Sequence, residues 1–174
     1  FVVGERGNRI EEWVKAFEST GFSGAVIAGR DGKVTAAVGV GYADLENKTR
    51  NAPSTLFELA SITKPITAIG VMRLAEQKKL ALDDFIVAHL PDVPDSCRGI
   101  TIRHLIQHTS GIPGTNTEGD GTNLKKALET YLKGGPAQTP GVKFEYWNQG
   151  YALLSEIIGR SSGKDYTDFM RQEV

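Results

Sequence analysis

Residues 57–65 read FELASITKP, and the interpretation of the whole chain starts from this stretch. Proline is tolerated only around the first turn of a helix, so Pro65 predicts a helix that begins close to Ser61. The predicted helix spans residues 61–78, and its first turns are apolar on nearly all sides. A helix of that kind is usually buried, so we expect this one to lie inside the fold.

Ser61 and Lys64 lie three positions apart at the start of this predicted helix. That spacing places both side chains on one face, with Cβ atoms about 5–6 Å apart, so the amine can approach the hydroxyl. Partial desolvation and the positive end of the helix dipole both favour a neutral amine, which can act as a base. Backbone N–H groups at the helix start would also favour a developing oxyanion. The pair is a candidate nucleophile and base.

The same spacing occurs a second time, at Ser161 and Lys164. At average residue usage, a Ser and a Lys three apart occur about once in a chain of this length, so the spacing alone is not specific. The second copy contains Gly163, falls at a predicted helix end and has little apolar sequence around it. A structural or solvated role is predicted there, and the surrounding sequence favours Ser61 as the nucleophile.

A second candidate motif is Tyr146-Trp147-Asn148, which lies between a turn at residues 139–141 and a predicted helix. A tyrosine hydroxyl can shuttle a proton if neighbouring cations lower its pKa from about 10. The Asn148 amide offers both a donor and an acceptor to a substrate amide. The alternative is a buried tyrosine followed by an asparagine that caps the helix.

The sequence His108-Thr109-Ser110-Gly111 raises the hypothesis of a hydrolase triad, because a histidine lies close to a serine. Near neighbours at a helix end rarely place an imidazole on a hydroxyl, and no acidic partner is evident. We therefore favour a turn that closes a short helix capped by Thr101.

The N-terminal third of the chain predicts a helix followed by a β-hairpin. Apolar residues recur at helical spacing over residues 8–19, and residues 22–29 and 33–42 have the composition of strands. Asp31-Gly32, between the two strands, favours a tight turn. Residues 43–60 are polar and turn-rich.

Helices dominate the rest of the chain, and this order of strands and helices indicates an α+β fold. Helices are predicted over residues 123–133, 149–160 and 165–173, and a loop over residues 112–122. In the helix at residues 149–160, one side carries Leu153, Leu154, Ile157 and Ile158. A hairpin with one helix cannot form a stable sheet alone, and the sequence stops within an apparent helix. More strands are therefore expected beyond residue 174.

Composition places the chain among soluble globular proteins, because 40% of its 174 residues are hydrophobic and 24% are charged. The formal net charge of −1 does not favour nucleic acid or an anionic membrane as a partner. No apolar run approaches the length of a membrane span. The single cysteine, Cys97, excludes an internal disulfide and a cysteine-based zinc site, and it is predicted to be buried.

Three segments together carry a resemblance to a known family. They are residues 57–65, residues 105–112 (LIQHTSGI) and the run from Pro140 through Tyr146 and Asn148 to Tyr151. In order and spacing they resemble the serine β-lactamase and penicillin-binding protein superfamily. The nearest branch is the class C-like one, which includes family VIII-type esterases, D-aminopeptidases and DD-peptidases. The resemblance covers nearly the whole chain.

This resemblance implies a β-lactamase/transpeptidase-like fold, in which an antiparallel sheet packs with helices beside a mainly helical region. Residues 1–60 would form the N-terminal part of the sheet domain. Residues 61–174 would form the helical region that carries the nucleophile helix and the Tyr-x-Asn loop. Only the first strands of the sheet would be present.

The implied chemistry is acyl transfer through a covalent acyl-enzyme, without a metal or an organic cofactor. Ser61 would attack a carbonyl group, and Lys64 would help to deprotonate it. Tyr146 would act as general base and later donate a proton to the leaving group. Asn148 would hold the substrate or orient Lys64.

Two departures from the family pattern bear on activity. The family's third motif, Lys or His, then Ser or Thr, then Gly, is not found at an appropriate place and is expected beyond residue 174. The isolated chain is therefore predicted to be poorly active, and a complementing C-terminal chain or a homo-oligomer is a candidate partner. Trp147 stands where relatives usually carry a small residue, so it is predicted to line and narrow the substrate pocket.

Several functions remain open at this point. A β-lactam or a D-amino-acid peptide is the predicted substrate, a carboxylesterase of the same fold is the alternative, and an inactive binding or sensor relative is a third reading. A structural fragment that pairs its sheet edge with another strand is a fourth. A periplasmic or secreted location is favoured over a cytoplasmic one.

Overall fold

A computed structural model describes residues 1–114 and 123–174 of the chain. The described chain forms two compact units, Phe1–Glu58 and Leu59–Val174. The predicted loop at residues 112–122 falls mostly on residues 115–122, which lie outside the described residues. The domain boundary expected between residues 60 and 61 stays a prediction.

The first unit consists of a helix packed on a hairpin. Helix α1 spans Gly4–Glu18, and strands β1 (Gly24–Arg30) and β2 (Lys33–Val40) pair antiparallel. The turn between the strands forms at the predicted residues, Asp31 (φ 51°) and Gly32 (φ 73°), both in the left-handed conformation that tight hairpin turns require.

Alternation along β2 decides which face of the hairpin packs on α1. Ala36, Val38 and Val40 are buried together with Val14 of α1, because side chains two positions apart on a strand share one face. The predicted helix, hairpin and turn of this unit are confirmed.

The stretch predicted to be only polar and turn-rich contains a second, small sheet. Strands β3 (Tyr42–Asp44) and β4 (Thr49–Arg50) pair antiparallel. The Asp44 carboxylate accepts hydrogen bonds from the backbone and side-chain N–H groups of Asn47, and these bonds close the turn. Strands this short carry no readable alternation, which is why the pattern did not predict them.

The second unit is helical. Its helices are α2 (Thr63–Glu76), α3 (Ile102–Ile106), α4 (Leu124–Tyr131), α5 (Asn148–Ser162) and α6 (Tyr166–Glu173), with single 3₁₀ turns at Ala60–Ile62, Ile86–Ala88 and Asp95–Cys97. Strands followed by helices give a mixed α+β structure, as the sequence order predicted. Among the described residues, no helix combines the length and apolar character needed to cross a bilayer.

Helix α5 is the centre of the core of the second unit. Its buried face carries Leu153, Leu154, Ile157 and Ile158, the face that the periodicity predicted. These side chains pack with residues of α2, α3 and α6, including Leu74, Leu105 and Phe169. Burial of each such side chain stabilises the fold by about 1.5–3 kcal/mol, so this packing holds α2 and α5 in place.

The prediction that α2 is buried on nearly all sides is wrong. Only one face is buried, and it carries Thr67, Gly70, Val71 and Leu74. Ile69 and Met72, on another face, are 50% and 52% exposed. The polar Thr67 lies inside because its hydroxyl donates to the Thr63 carbonyl and also lies 2.8 Å from the Tyr166 hydroxyl.

Candidate active site

Ser61 lies in the 3₁₀ turn that leads into α2. The preceding residue, Ala60, has φ 45°, a left-handed conformation that costs a non-glycine residue about 1–2 kcal/mol. Such strain is found preferentially at functional sites, where the surrounding structure holds it in place. No sequence pattern pointed to Ala60, because alanine is not a residue type that marks this conformation.

Ser61 is hydrogen-bonded to both of the other predicted catalytic side chains. Lys64 Nζ donates to Ser61 Oγ over 3.0 Å, as the i, i+3 spacing predicted. Tyr146 Oη lies 2.8 Å from the same Ser61 Oγ, although the two residues are 85 positions apart in the chain. The structure thus brings the three residues onto one oxygen atom.

The Lys64 ammonium also lies against aromatic rings, 4.9 Å from the centroid of Tyr146 and 5.7 Å from that of Tyr151. A cation above an aromatic face is attracted to it, so both rings help to hold Lys64 in place. Interaction with the Lys64 ammonium, and next the hydrogen bond with Ser61, lower the pKa of the Tyr146 phenol. The Tyr146 phenol therefore loses its proton at a lower pH than the phenol of a free tyrosine does.

Trp147 is not where the sequence analysis expected it. Its side chain is only 2% exposed and belongs to the core of the second unit, whereas Tyr146 is 44% exposed. The backbone at Trp147 is extended, and neighbouring residues of an extended segment point in opposite directions. The prediction that Trp147 contacts substrate and narrows the pocket is therefore not supported by its burial.

Asn148 is exposed and is the first residue of α5, so it follows the N-cap position instead of occupying it. Its predicted contact with substrate stays a prediction. Among the described residues, no group of three or more His, Cys, Asp or Glu side chains is arranged to hold a metal ion.

Comparison with known proteins identifies the family. The sequence model of the family described as Beta-lactamase matches residues 10–174. The chain belongs to the Beta-lactamase family.

Individual relatives of this Beta-lactamase-family chain agree with the match. Penicillin-binding protein 4* of Bacillus subtilis (strain 168) is 33% identical over 177 residues, covering 91% of this chain and 38% of the relative. The crystal structure of FmtA from Staphylococcus aureus superposes with a TM-score of 0.87 at 26% identity, covering 99% of this chain and 49% of that one.

A third relative is an enzyme by its name. D-amino acid amidase from Ochrobactrum anthropi SV3, complexed with L-phenylalanine amide, superposes with a TM-score of 0.80 at 29% identity, covering 96% of this chain and 48% of that one. The chain spans between 31% and 42% of the length of the curated relatives it matches. The family match and the superpositions confirm the β-lactamase/transpeptidase-like fold predicted from the sequence.

His108 of this Beta-lactamase-family chain faces Tyr146. Its ring lies 4.5 Å from the Tyr146 ring, centroid to centroid, and its Nδ1 accepts a hydrogen bond from the Trp147 N–H over 3.1 Å. Ser110 Oγ instead accepts from the Ile112 N–H. The sequence analysis assigned His108 to a turn, and nothing in the local pattern showed that tertiary packing would place it beside the site.

The second Ser-x-x-Lys copy is arranged differently from the first. Ser161 Oγ lies 3.1 Å from Nδ1 of His89, and Nε2 of that ring lies 3.0 Å from the Asp84 carboxylate. Lys164 Nζ donates to Gln172 instead. Ser161 also lies in the last turn of α5, where backbone carbonyls disfavour a developing oxyanion. Hydrogen bonding through His89 thus ties α5 to residues 84–89.

Proposed function

We propose that the protein is a serine hydrolase that acts through an acyl-enzyme formed on Ser61. The observation that carries this proposal is the position of Ser61 Oγ, which lies within hydrogen-bond distance of both Lys64 Nζ and Tyr146 Oη. A serine hydroxyl is a weak nucleophile until a neighbouring base removes its proton. Tyr146, whose pKa is lowered by Lys64 and Ser61, is the group placed beside Ser61 Oγ that can do so once it is deprotonated.

Acylation begins when Ser61 Oγ attacks a substrate carbonyl carbon and its proton moves to the phenolate oxygen of Tyr146. Lys64 remains hydrogen-bonded to Ser61 and stabilises negative charge on both oxygens. The carbonyl oxygen becomes an oxyanion, which the backbone N–H of Ser61, at the start of the helical segment, would bind. When the tetrahedral intermediate collapses, the bond to the leaving group breaks, and Tyr146 returns the proton to it.

Deacylation repeats these steps with water in place of the serine. Tyr146 accepts a proton from the water, the hydroxide adds to the ester carbonyl, and Ser61 Oγ leaves with the proton that Tyr146 gives back. The lowered pKa of Tyr146 serves both half-reactions, because the phenolate is populated at a lower pH than in a free tyrosine.

The substrate we propose is a β-lactam or an amide of a D-amino acid. Support comes from the relatives, which include a penicillin-binding protein and a D-amino acid amidase. A carboxylesterase is the second candidate, because the same nucleophile and base also cleave esters and the fold alone does not choose among acyl groups. The inactive binding relative is disfavoured by the hydrogen bonds that converge on Ser61.

The proposal is tested by hydrolysis of a substrate panel with the protein as its gene encodes it. The panel holds a β-lactam, a D-amino-acid amide, its L-enantiomer and a simple ester. We expect Ser61→Ala to lower the rate on the preferred substrate by about 10⁶-fold, the size of loss seen when a catalytic serine is removed. Ser161→Ala, which removes the serine of the other Ser-x-x-Lys copy, should keep the rate of the unchanged protein.

Either of two outcomes would contradict the proposal. One is equal hydrolysis by the Ser61→Ala variant and the unchanged protein. The other is loss of activity in Ser161→Ala while Ser61→Ala remains active. Preference for the ester over both amides would retain the mechanism and replace the substrate by that of a carboxylesterase.

A further inference from the structure

The backbone on both sides of Tyr146 is hydrogen-bonded to one residue. The carbonyl oxygen of His108 accepts from the Glu145 N–H over 2.8 Å. The side-chain Nδ1 of the same His108 accepts from the Trp147 N–H over 3.1 Å. His108 therefore binds the residues immediately before and after Tyr146, and this fixes the course of the backbone that carries the phenol.

The His108 ring also fixes the Tyr146 side chain. The two ring centroids are 4.5 Å apart with planes 31° from parallel, which is a contact of ring faces. The imidazole also packs against the ring of Tyr151, with centroids 5.2 Å apart, and against that of Phe144, with centroids 5.7 Å apart and planes 74° from parallel. An imidazole held by the Trp147 N–H and by two aromatic rings offers Tyr146 a surface of fixed orientation.

The segment that carries His108 is itself held in place. His108 has φ 56°, a left-handed conformation that histidine and asparagine adopt more readily than most residues. The next residue, Thr109, donates its N–H to the His104 carbonyl and accepts at its own carbonyl from Gly141. The position of His108 is thus determined by α3 on one side and by the segment leading to Tyr146 on the other.

We propose that His108 is a positioning residue that holds the Tyr146 hydroxyl on Ser61 Oγ. This inference rests on the proposed function, because it assigns His108 a role through the phenol that acts as base. His108 touches neither Ser61 nor the reacting carbonyl in this account. It sets where Tyr146 lies, and Tyr146 moves the proton.

The role requires a neutral imidazole, because Nδ1 accepts a hydrogen bond and the ring proton must then lie on Nε2. Within residues 1–114 and 123–174, the titratable groups close to the ring are Lys64 on α2, Tyr146 on the segment before α5 and Tyr151 on α5. Burial, and next the charge of Lys64, lower the pKa of His108. Protonation at sufficiently low pH removes the acceptor for Trp147 and adds a second cation beside Lys64, so activity should fall there.

The test compares His108→Ala with His108→Asn in the protein as its gene encodes it. Asparagine tolerates a left-handed backbone, and its Oδ1 can accept a hydrogen bond from the Trp147 N–H. Alanine tolerates that backbone poorly, and its side chain has no hydrogen-bond acceptor. We expect His108→Ala to lower kcat by about 10–100-fold with little change in KM, the size of effect that a small misplacement of a catalytic group produces. His108→Asn should recover most of the rate and remove the acidic fall that comes from the imidazole.

A second measurement follows the Tyr146 phenol directly. The absorbance titration of each variant, minus that of the same variant carrying Tyr146→Phe, gives the pKa of Tyr146. We expect that pKa to rise in His108→Ala, because the hydroxyl is no longer held beside Lys64 and Ser61. His89→Ala is the matched control, because His89 is another partly buried histidine and its ring contacts Ser161 and Asp84 instead of the segment around Tyr146. It should leave both the titration and the pH profile unchanged.

Three results would overturn the role of His108. They are an unchanged kcat and Tyr146 titration in His108→Ala, a loss in His108→Asn as large as in His108→Ala, and a loss of equal size in His89→Ala. A wild-type protein that forms no acyl-enzyme at all would overturn the proposed function itself. The two failures are therefore distinguishable.

Discussion

At the scale of single residues, the side chains of Lys64 and Tyr146 converge on the Ser61 Oγ atom. Ser61 Oγ is bonded to Lys64 and Tyr146, and the Lys64 charge lies over the ring of the same tyrosine. A cation this close stabilises the phenolate more than the phenol. Lys64 therefore contacts Ser61 and also lowers the pKa of Tyr146.

This tuning predicts a pH dependence. A base must be deprotonated to act, so acylation should rise with pH through the pKa of Tyr146, which lies below its ordinary value of about 10. In Lys64→Met the pKa of Tyr146 should increase, and the rise in rate should move to more alkaline pH. The absorbance titration and the pH–rate profile measure both effects.

Lys33→Met is the control for this prediction, because Lys33 is an exposed residue at the start of β2 in the first unit. The account would be contradicted if Lys64→Met left the Tyr146 titration where it is in the unchanged protein.

Some of these contacts could be predicted from the sequence, and others could not. The approach of Lys64 to Ser61 follows from helix geometry alone, because residues three apart share a face. The approach of Tyr146 depends on packing across 85 positions, so the motif indicated a candidate but not a contact. The direction of Trp147 and the contact of His108 with Tyr146 depend on tertiary structure that no local pattern contains.

At the scale of elements, the turn after α3 is held against the segment that leads to Tyr146. Gly111 has φ 76°, and its carbonyl accepts from the Ala137 N–H over 2.9 Å. A Cβ added at Gly111 would collide with the Gln138 carbonyl oxygen, which is backbone and cannot easily move aside. Glycine is therefore required here for its conformation and for the close approach of two backbones.

Gly111→Ala should accordingly destabilise the protein by about 2 kcal/mol or more, the sum of the left-handed penalty and the collision. Denaturant unfolding measures the change. Gly99→Ala is the matched control, because a Cβ at Gly99 meets no atom within 4 Å and its backbone is not left-handed. Equal stability of the two variants would show that the turn is not constrained as described.

Elements with strong periodicity were predictable, and short or one-sided ones were not. The 3-and-4 spacing in α5 predicted both the helix and its buried face, whereas the composition of residues 33–42 predicted strand β2 but not which of its faces is buried. The prediction that α2 is buried on nearly all sides was wrong for the face that carries Ile69 and Met72, which is exposed. Composition shows that a side chain is apolar, but it does not show whether another element packs on it.

At the scale of the whole molecule, the chain corresponds to only part of the length of its relatives, and this part contains Ser61 and the residues that converge on it. It spans 38% of penicillin-binding protein 4* and 49% of the FmtA chain in the crystal structure. The third family motif expected from the resemblance is not found at an appropriate place among these 174 residues. The hydrogen bonds of Ser61 with Lys64 and Tyr146 all lie within this part, so the proposed nucleophile is the claim on which the residues of this chain bear most directly.

The most direct test of the central claim is intact-mass spectrometry of the protein as its gene encodes it, before and after exposure to a β-lactam probe, followed by peptide mapping. We predict a mass gain of one probe per chain, located on the peptide that contains Ser61, and its loss in Ser61→Ala but not in Ser161→Ala. An adduct that maps elsewhere, or that persists in Ser61→Ala, would contradict the assignment of Ser61 as the nucleophile.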